Sequence, residues 1–99
     1  MSANAEAKVL ITHAVGLHAR PSVKFTKLAK TFPARVEMAL APEGPWVDAK
    51  SIVKVMAARA PKGTTLHLRA VGEGAGEAVG ALVSLVERDF DEDEHARTA

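Results

Sequence analysis

The chain has no cysteine, which excludes disulfides, thiolate metal sites and cysteine nucleophiles. Its four aromatic residues, Phe25, Phe32, Trp46 and Phe90, are scattered and offer no stacking platform for single-stranded nucleic acid. Neither sign of charge dominates. Thirteen basic residues stand against twelve acidic ones for a net charge of +1, so bulk electrostatics do not point to nucleic acid. No apolar run approaches the length of a membrane span. No charged segment followed by an apolar stretch opens the chain, so a cytosolic protein is the expectation. What is present is 99 residues of ordinary globular composition, 47% hydrophobic and 25% charged. That predicts one domain whose core needs no metal or crosslink.

The stretch with the most chemistry is Gly16-Leu17-His18-Ala19-Arg20-Pro21-Ser22. Gly16 suits a sharp turn, because it takes positive φ without a Cβ clash. Pro21 suits the first turn of a helix, where its missing N–H costs little. His18 and Arg20 therefore fall at or just before a helix start, where unpaired amides and the positive dipole end favour an anion. Imidazole is a nucleophile near neutrality, and guanidinium binds phosphate oxygens in pairs. A covalent phosphate site fits these residue types. So does a plain cap or surface histidine.

The pattern around that stretch predicts the order β-α-β-β-α-β-α. Residues 1–6 read as a flexible end, 7–90 as the domain and 91–99 as a charged flexible tail. Ala7, Val9 and Ile11 alternate with polar neighbours as a first strand. Phe25, Leu28, Ala29 and Phe32 recur at helical spacing, stopped by Pro33. Val36, Met38 and Leu40 form a second strand, and the turn at Pro42-Glu43-Gly44-Pro45 returns Trp46-Val47-Asp48 as a third. Ser51 precedes a short helix with Ile52, Val53, Val55 and Met56, closed by Pro61-Lys62-Gly63. Residues 64–71 alternate as a fourth strand, and Val79, Leu82, Val83, Val86 and Phe90 carry a last helix to about Phe90. Three helices with one apolar stripe each must cover one face of one sheet, an α+β arrangement. The other face, with Lys8, Thr12, Arg35, Glu37, Thr65, His67 and Arg69, can meet water, which favours an antiparallel or mixed open sheet.

Four apolar positions between Ile52 and Met56 exceed what one helical stripe buries, so at least one is expected at the surface. Ile52, Val53 and Met56, with Leu17 beside them, would form a docking surface, and Lys24, Lys27 and Lys54 would ring it and steer an acidic partner. A solvated lysine face is the plainer alternative. Ser51 is a good N-cap. His13, His67 and His95 lack paired ligand spacing with His18, so no metal site is expected. Gly72, Gly74 and Gly76 are spaced wrongly for a dinucleotide fingerprint, and no cofactor is expected.

With Gly16-Leu17-His18-Ala19-Arg20-Pro21, Ala49-Lys50-Ser51-Ile52 and this element order, the sequence closely resembles the HPr family. These are the histidine-containing phosphocarriers of the phosphoenolpyruvate-dependent phosphotransferase system. The resemblance runs from Val9 to about Phe90. It implies an open-faced β-sandwich with three helices on one face of a four-stranded antiparallel sheet, strands ordered first, fourth, second, third. It implies that His18 accepts phosphate from enzyme I on Nδ1 and passes it to enzyme IIA-type domains, and that Arg20 contacts the phosphate. It implies that Ser51 matches a serine modified, in many bacteria, by an HPr kinase/phosphorylase. Val15 and Ser22 depart from the family's commoner polar residue and alanine. A monomeric carrier, not an enzyme, follows, serving sugar uptake, a nitrogen-related branch or a dihydroxyacetone kinase relay. A regulatory module acting through Ser51, or an interaction domain in which His18 only caps a helix, are the rivals.

Overall fold

Alternation of inward apolar and outward polar side chains builds the sheet of this protein, seen in a computed structural model that describes residues 4–13 and 16–91. Its strands are β1 (Asn4–Leu10), β2 (Arg35–Ala39), β3 (Val47–Asp48) and β4 (Thr65–Val71), and its helices are α1 (Ala19–Lys30), α2 (Ile52–Ala58) and α3 (Ala75–Glu87). The sheet order is β1-β4-β2-β3, and every neighbouring pair is antiparallel. The expected open-faced arrangement is the one found.

The sheet's inward face carries Val9, Val36, Met38, Leu66, Leu68 and Ala70, all buried. Against them pack Phe25 and Ala29 of α1, Val55 of α2, and Ala78, Val79, Leu82, Leu85 and Val86 of α3. Phe25 and Phe90 are fully buried, each contributing about 2–3 kcal/mol by removal from water. On the outward face Arg69 Nε donates to Glu37 Oε1 at 2.8 Å. The Arg69 guanidinium also lies 4.0 Å from the Trp46 ring centroid. Glu37 and Arg69, like His67, are half-buried on the face expected to be able to meet water.

Several boundaries differ from expectation. β1 reaches back to Asn4, inside the stretch expected to be flexible, because Ala5 pairs with Ala70 across the ladder. Backbone pairing needs no large side chain, so the small residues hid the strand. The buried face of α1 is Pro21, Ser22, Phe25, Thr26 and Ala29, while Leu28 and Phe32 are only half-buried. Two hydroxyls enter the interior because each has a local acceptor: Ser22 Oγ donates to the Leu17 carbonyl at 3.3 Å and Thr26 Oγ1 to the Val23 carbonyl at 3.1 Å. β2 ends at Ala39, leaving Leu40 exposed. Arg59, not the Pro61 turn, closes α2, with left-handed φ 52° and ψ 46°. α3 stops at Glu87, and Phe90 reaches the core from a turn over Asp89–Asp91 whose residues all have positive φ. Residues 1–3, 14–15 and 92–99, with His95, Val15 and nearly all of the tail set at 91–99, lie outside the described residues.

Candidate functional site

Two backbone bonds place the segment from Gly16 to Arg20. The Gly16 N–H donates to the His13 carbonyl at 3.0 Å, and the Leu17 N–H donates to the Ala60 carbonyl at 2.8 Å. The second ties this loop to the segment after α2. Gly16 has φ 69°, and a Cβ there would run into the Ala60 carbonyl oxygen and lie 2.9 Å from Pro61 Cα. Glycine is required for its backbone angle and for its missing side chain alike.

His18 follows as the N-cap of α1, with an extended backbone (φ −98°, ψ −161°). Its carbonyl accepts from the Ser22 N–H at 2.9 Å. Its imidazole makes no capping bond, so the side chain is not spent on holding the helix end. The residue is exposed at the positive end of a 12-residue helix. Arg20, also exposed, is the second helical residue. Behind His18 lies His13, buried, with ring centroids 5.7 Å apart at 47°. Phe90 meets His13 edge-on at 5.9 Å and 70°. The exposed imidazole thus lies next to a buried, tilted ring that is itself met edge-on by Phe90.

A cleft of about 320 Å³ opens beside it, lined by Leu17, His18, Ala19, Met56, Arg59 and Pro61 among others. Nothing in the order of residues pointed to Arg59, since only the fold of α2 against α1 brings it to this cleft. The expected docking residues divide. Leu17 is 2% exposed, so its side chain belongs to the core and to the cleft floor, not to a docking surface. Val53 is 74% exposed and Met56 40%, while Ile52 is half-buried. Val23 of α1, not singled out in the sequence, is 44% exposed. Lys27 and Lys54 are exposed, but Lys24 is half-buried and its Nζ donates to the Asp91 carbonyl at 3.4 Å. Ser51 is half-buried and caps α2, its Oγ accepting from the Lys54 N–H at 3.3 Å.

The turn that carries Phe90 is latched on both sides. Thr12 Oγ1 donates to Asp89 Oδ1 at 2.7 Å, and Arg88 Nε donates to Asp91 Oδ1 at 2.9 Å. The Arg88 hydrogen bond, helped by the charges of Arg88 and Lys24, holds the Asp91 carboxyl below the usual aspartate range. The latch's small, solvent-screened contribution is complete above that range and is lost as pH falls through the lowered value. Among the described residues no group of His, Asp and Glu gathers to hold a metal ion. No helix among them is long and apolar enough to cross a membrane.

An exposed histidine at a helix head, backed by an arginine in the first turn, sits in an open-faced sandwich. Residues 5–88 match the family model described as "PTS HPr component phosphorylation site". The chain belongs to the HPr family. It is 45% identical over 87 residues to the phosphocarrier protein HPr of Pseudomonas aeruginosa, covering 88% of this chain and 96% of that one. It is 34% identical over 85 residues to the phosphocarrier protein NPr of Escherichia coli, covering 86% and 93%. The crystal structure of HPr from Thermoanaerobacter tengcongensis superposes with a TM-score of 0.82 at 34% identity, covering 90% of this chain and 98% of that one. Membership of the HPr family makes this chain a phosphocarrier of the phosphotransferase system, not an enzyme, and one that interacts with that system's enzymes.

Proposed function

We propose that His18 is the residue that carries the phosphoryl group, taking it from phosphorylated enzyme I and giving it to an enzyme IIA-type domain. The observation that supports this most directly is the exposed His18 imidazole at the head of α1, free of any capping bond. A neutral ring nitrogen attacks phosphorus while the phosphorus–nitrogen bond to the donor histidine breaks, so one bond forms as one is lost and no co-reactant is needed. The helix head and Arg20 favour the negative phosphoryl group over the bare ring. Most of the barrier is met by in-line positioning within the complex and by charge neutralisation.

Partners dock on the surface that Val53, Met56 and Ile52 present, with Lys27 and Lys54 close in sequence or on the neighbouring helix. The cytoplasm, where phosphoenolpyruvate is made, is the compartment this role requires, and the monomer is the working form. Ser51 is the second modification site of this proposal. Its hydroxyl, half-buried at the head of α2, is reached without unfolding. A phosphate there, made by an HPr kinase/phosphorylase, would add about −1.5 to −2 charges beside Val53 and weaken docking by repulsion. It lies about 10 Å from the His18 cleft, at the other end of the seven-residue α2.

Incubation with phosphoenolpyruvate and enzyme I tests the carrier role. The protein gains one acid-labile, base-stable phosphate, and His18→Ala abolishes it. Label that persists in the alanine variant rejects His18 as carrier. In a parallel incubation with ATP and an HPr kinase/phosphorylase, acid-stable label lost in Ser51→Ala, with none on histidine in the first incubation, favours the regulatory role instead.

A further inference from the structure

We infer that Arg59 is a second guanidinium, besides Arg20, for the phosphoryl group on His18, presented at the cleft beside His18 by the left-handed end of α2; the inference rests on His18 being the carrier. Backbone connectivity brings the two residues together. The Leu17 N–H and the Ala60 carbonyl are joined at 2.8 Å. His18 follows one partner of that bond and Arg59 precedes the other. Both then line the same cleft, with Met56 and Pro61.

The conformation of Arg59 is the second observation. It closes α2 at φ 52° and ψ 46°, its N–H donating to the Met56 carbonyl at 3.2 Å. That C-terminal position favours glycine, because a Cβ in the left-handed region is strained. Among the described residues the other positive-φ non-glycine positions all belong to the Asp89–Asp91 turn. A long cationic side chain held at a glycine-favouring position, at the rim of a functional cleft, is strain placed where chemistry can use it. The side chain is exposed and forms no ion pair or side-chain hydrogen bond with the described residues. Its donors remain for a ligand.

The chemistry that suits such a group is a phosphoryl dianion. A guanidinium offers paired N–H donors to two phosphate oxygens, and it neither takes nor gives a proton at neutral pH. Arg20 comes from the first turn of α1, two residues after His18, and Arg59 from the C-terminal cap of α2, in the cleft that His18 lines. The Arg59 contact exists only while the phosphate is on His18. It therefore stabilises the phosphorylated carrier relative to phosphorylated enzyme I.

The test compares Arg59→Gly, Arg59→Gln and Arg59→Lys with the parent and with His18→Ala. Each is equilibrated with phosphorylated enzyme I, and urea unfolding is followed in parallel. Arg59→Gly should unfold at higher urea than the parent, since its backbone strain is relieved. In Arg59→Gly and Arg59→Gln alike, the transfer equilibrium should shift about tenfold toward enzyme I, the effect of losing one charge-assisted hydrogen bond. Arg59→Lys should fall between. A purely structural role would make the glycine and glutamine variants diverge with their stabilities. An equilibrium unchanged in both overturns the inference while leaving His18 as carrier. Label retained on His18→Ala overturns the carrier role itself, and this inference with it.

Discussion

Replacing Gly16 with alanine perturbs the point on which the geometry of His18 turns. At φ 69° an alanine pays about 1 kcal/mol for a left-handed backbone. Its Cβ would meet the Ala60 carbonyl oxygen and lie 2.9 Å from Pro61 Cα. Both obstacles are backbone, so relief requires the whole loop to shift, at about 2 kcal/mol for overpacking of this kind. Stiffening the unfolded chain returns about 0.5 kcal/mol. The net expectation is a loss of about 2.5 kcal/mol, or a Tm lower by roughly 10–20 °C for a domain of this size. The single tryptophan, Trp46, reports unfolding in urea by its fluorescence. The shift also stretches the Leu17–Ala60 bond and displaces His18, so phosphate uptake from enzyme I should slow in the fraction that remains folded. Gly16→Ala unfolding within about 0.5 kcal/mol of the parent, with unchanged uptake, would refute the close approach of this loop to the segment after α2.

Two further outcomes follow from burial. Phe90→Ala should cost about 3–5 kcal/mol in urea unfolding, since its ring is fully buried, and a loss under about 1 kcal/mol would contradict its place in the core. Val53→Glu, at a residue 74% exposed, should change stability by less than about 0.5 kcal/mol yet raise the Kd for enzyme I about tenfold by calorimetry. An unchanged Kd would remove α2 from the docking surface.

The sheet was legible because alternation at Val9, Val36, Met38, Leu66 and Leu68 is a local signal that burial must respect. The start of α1 was legible for the same reason, in Gly16, His18 and Pro21. What escaped was set by partners distant in sequence. Leu17 looked like a surface residue beside a catalytic one, until the bond from its N–H to Ala60 turned its side chain inward. The sequence does not mark Ser22 and Thr26 as core positions; they are buried because their hydroxyls find carbonyls three to five residues back along the chain. Phe90 fitted the helical spacing of α3 and is buried as that spacing required, although the backbone had already left the helix. Arg59 carried no local signal at all: neither its spacing nor its neighbours indicate a cleft formed by two helices meeting.

The central claim is that one imidazole among the four in this chain bears the phosphate. Nitrogen-edited NMR of the histidine rings, recorded before and after phosphorylation by enzyme I, reads it directly. A new phosphorus–nitrogen coupling on His18 alone, with the rings of His13, His67 and His95 uncoupled to phosphorus, is the result expected. Coupling on any of those three, with His18 unmodified, would contradict it.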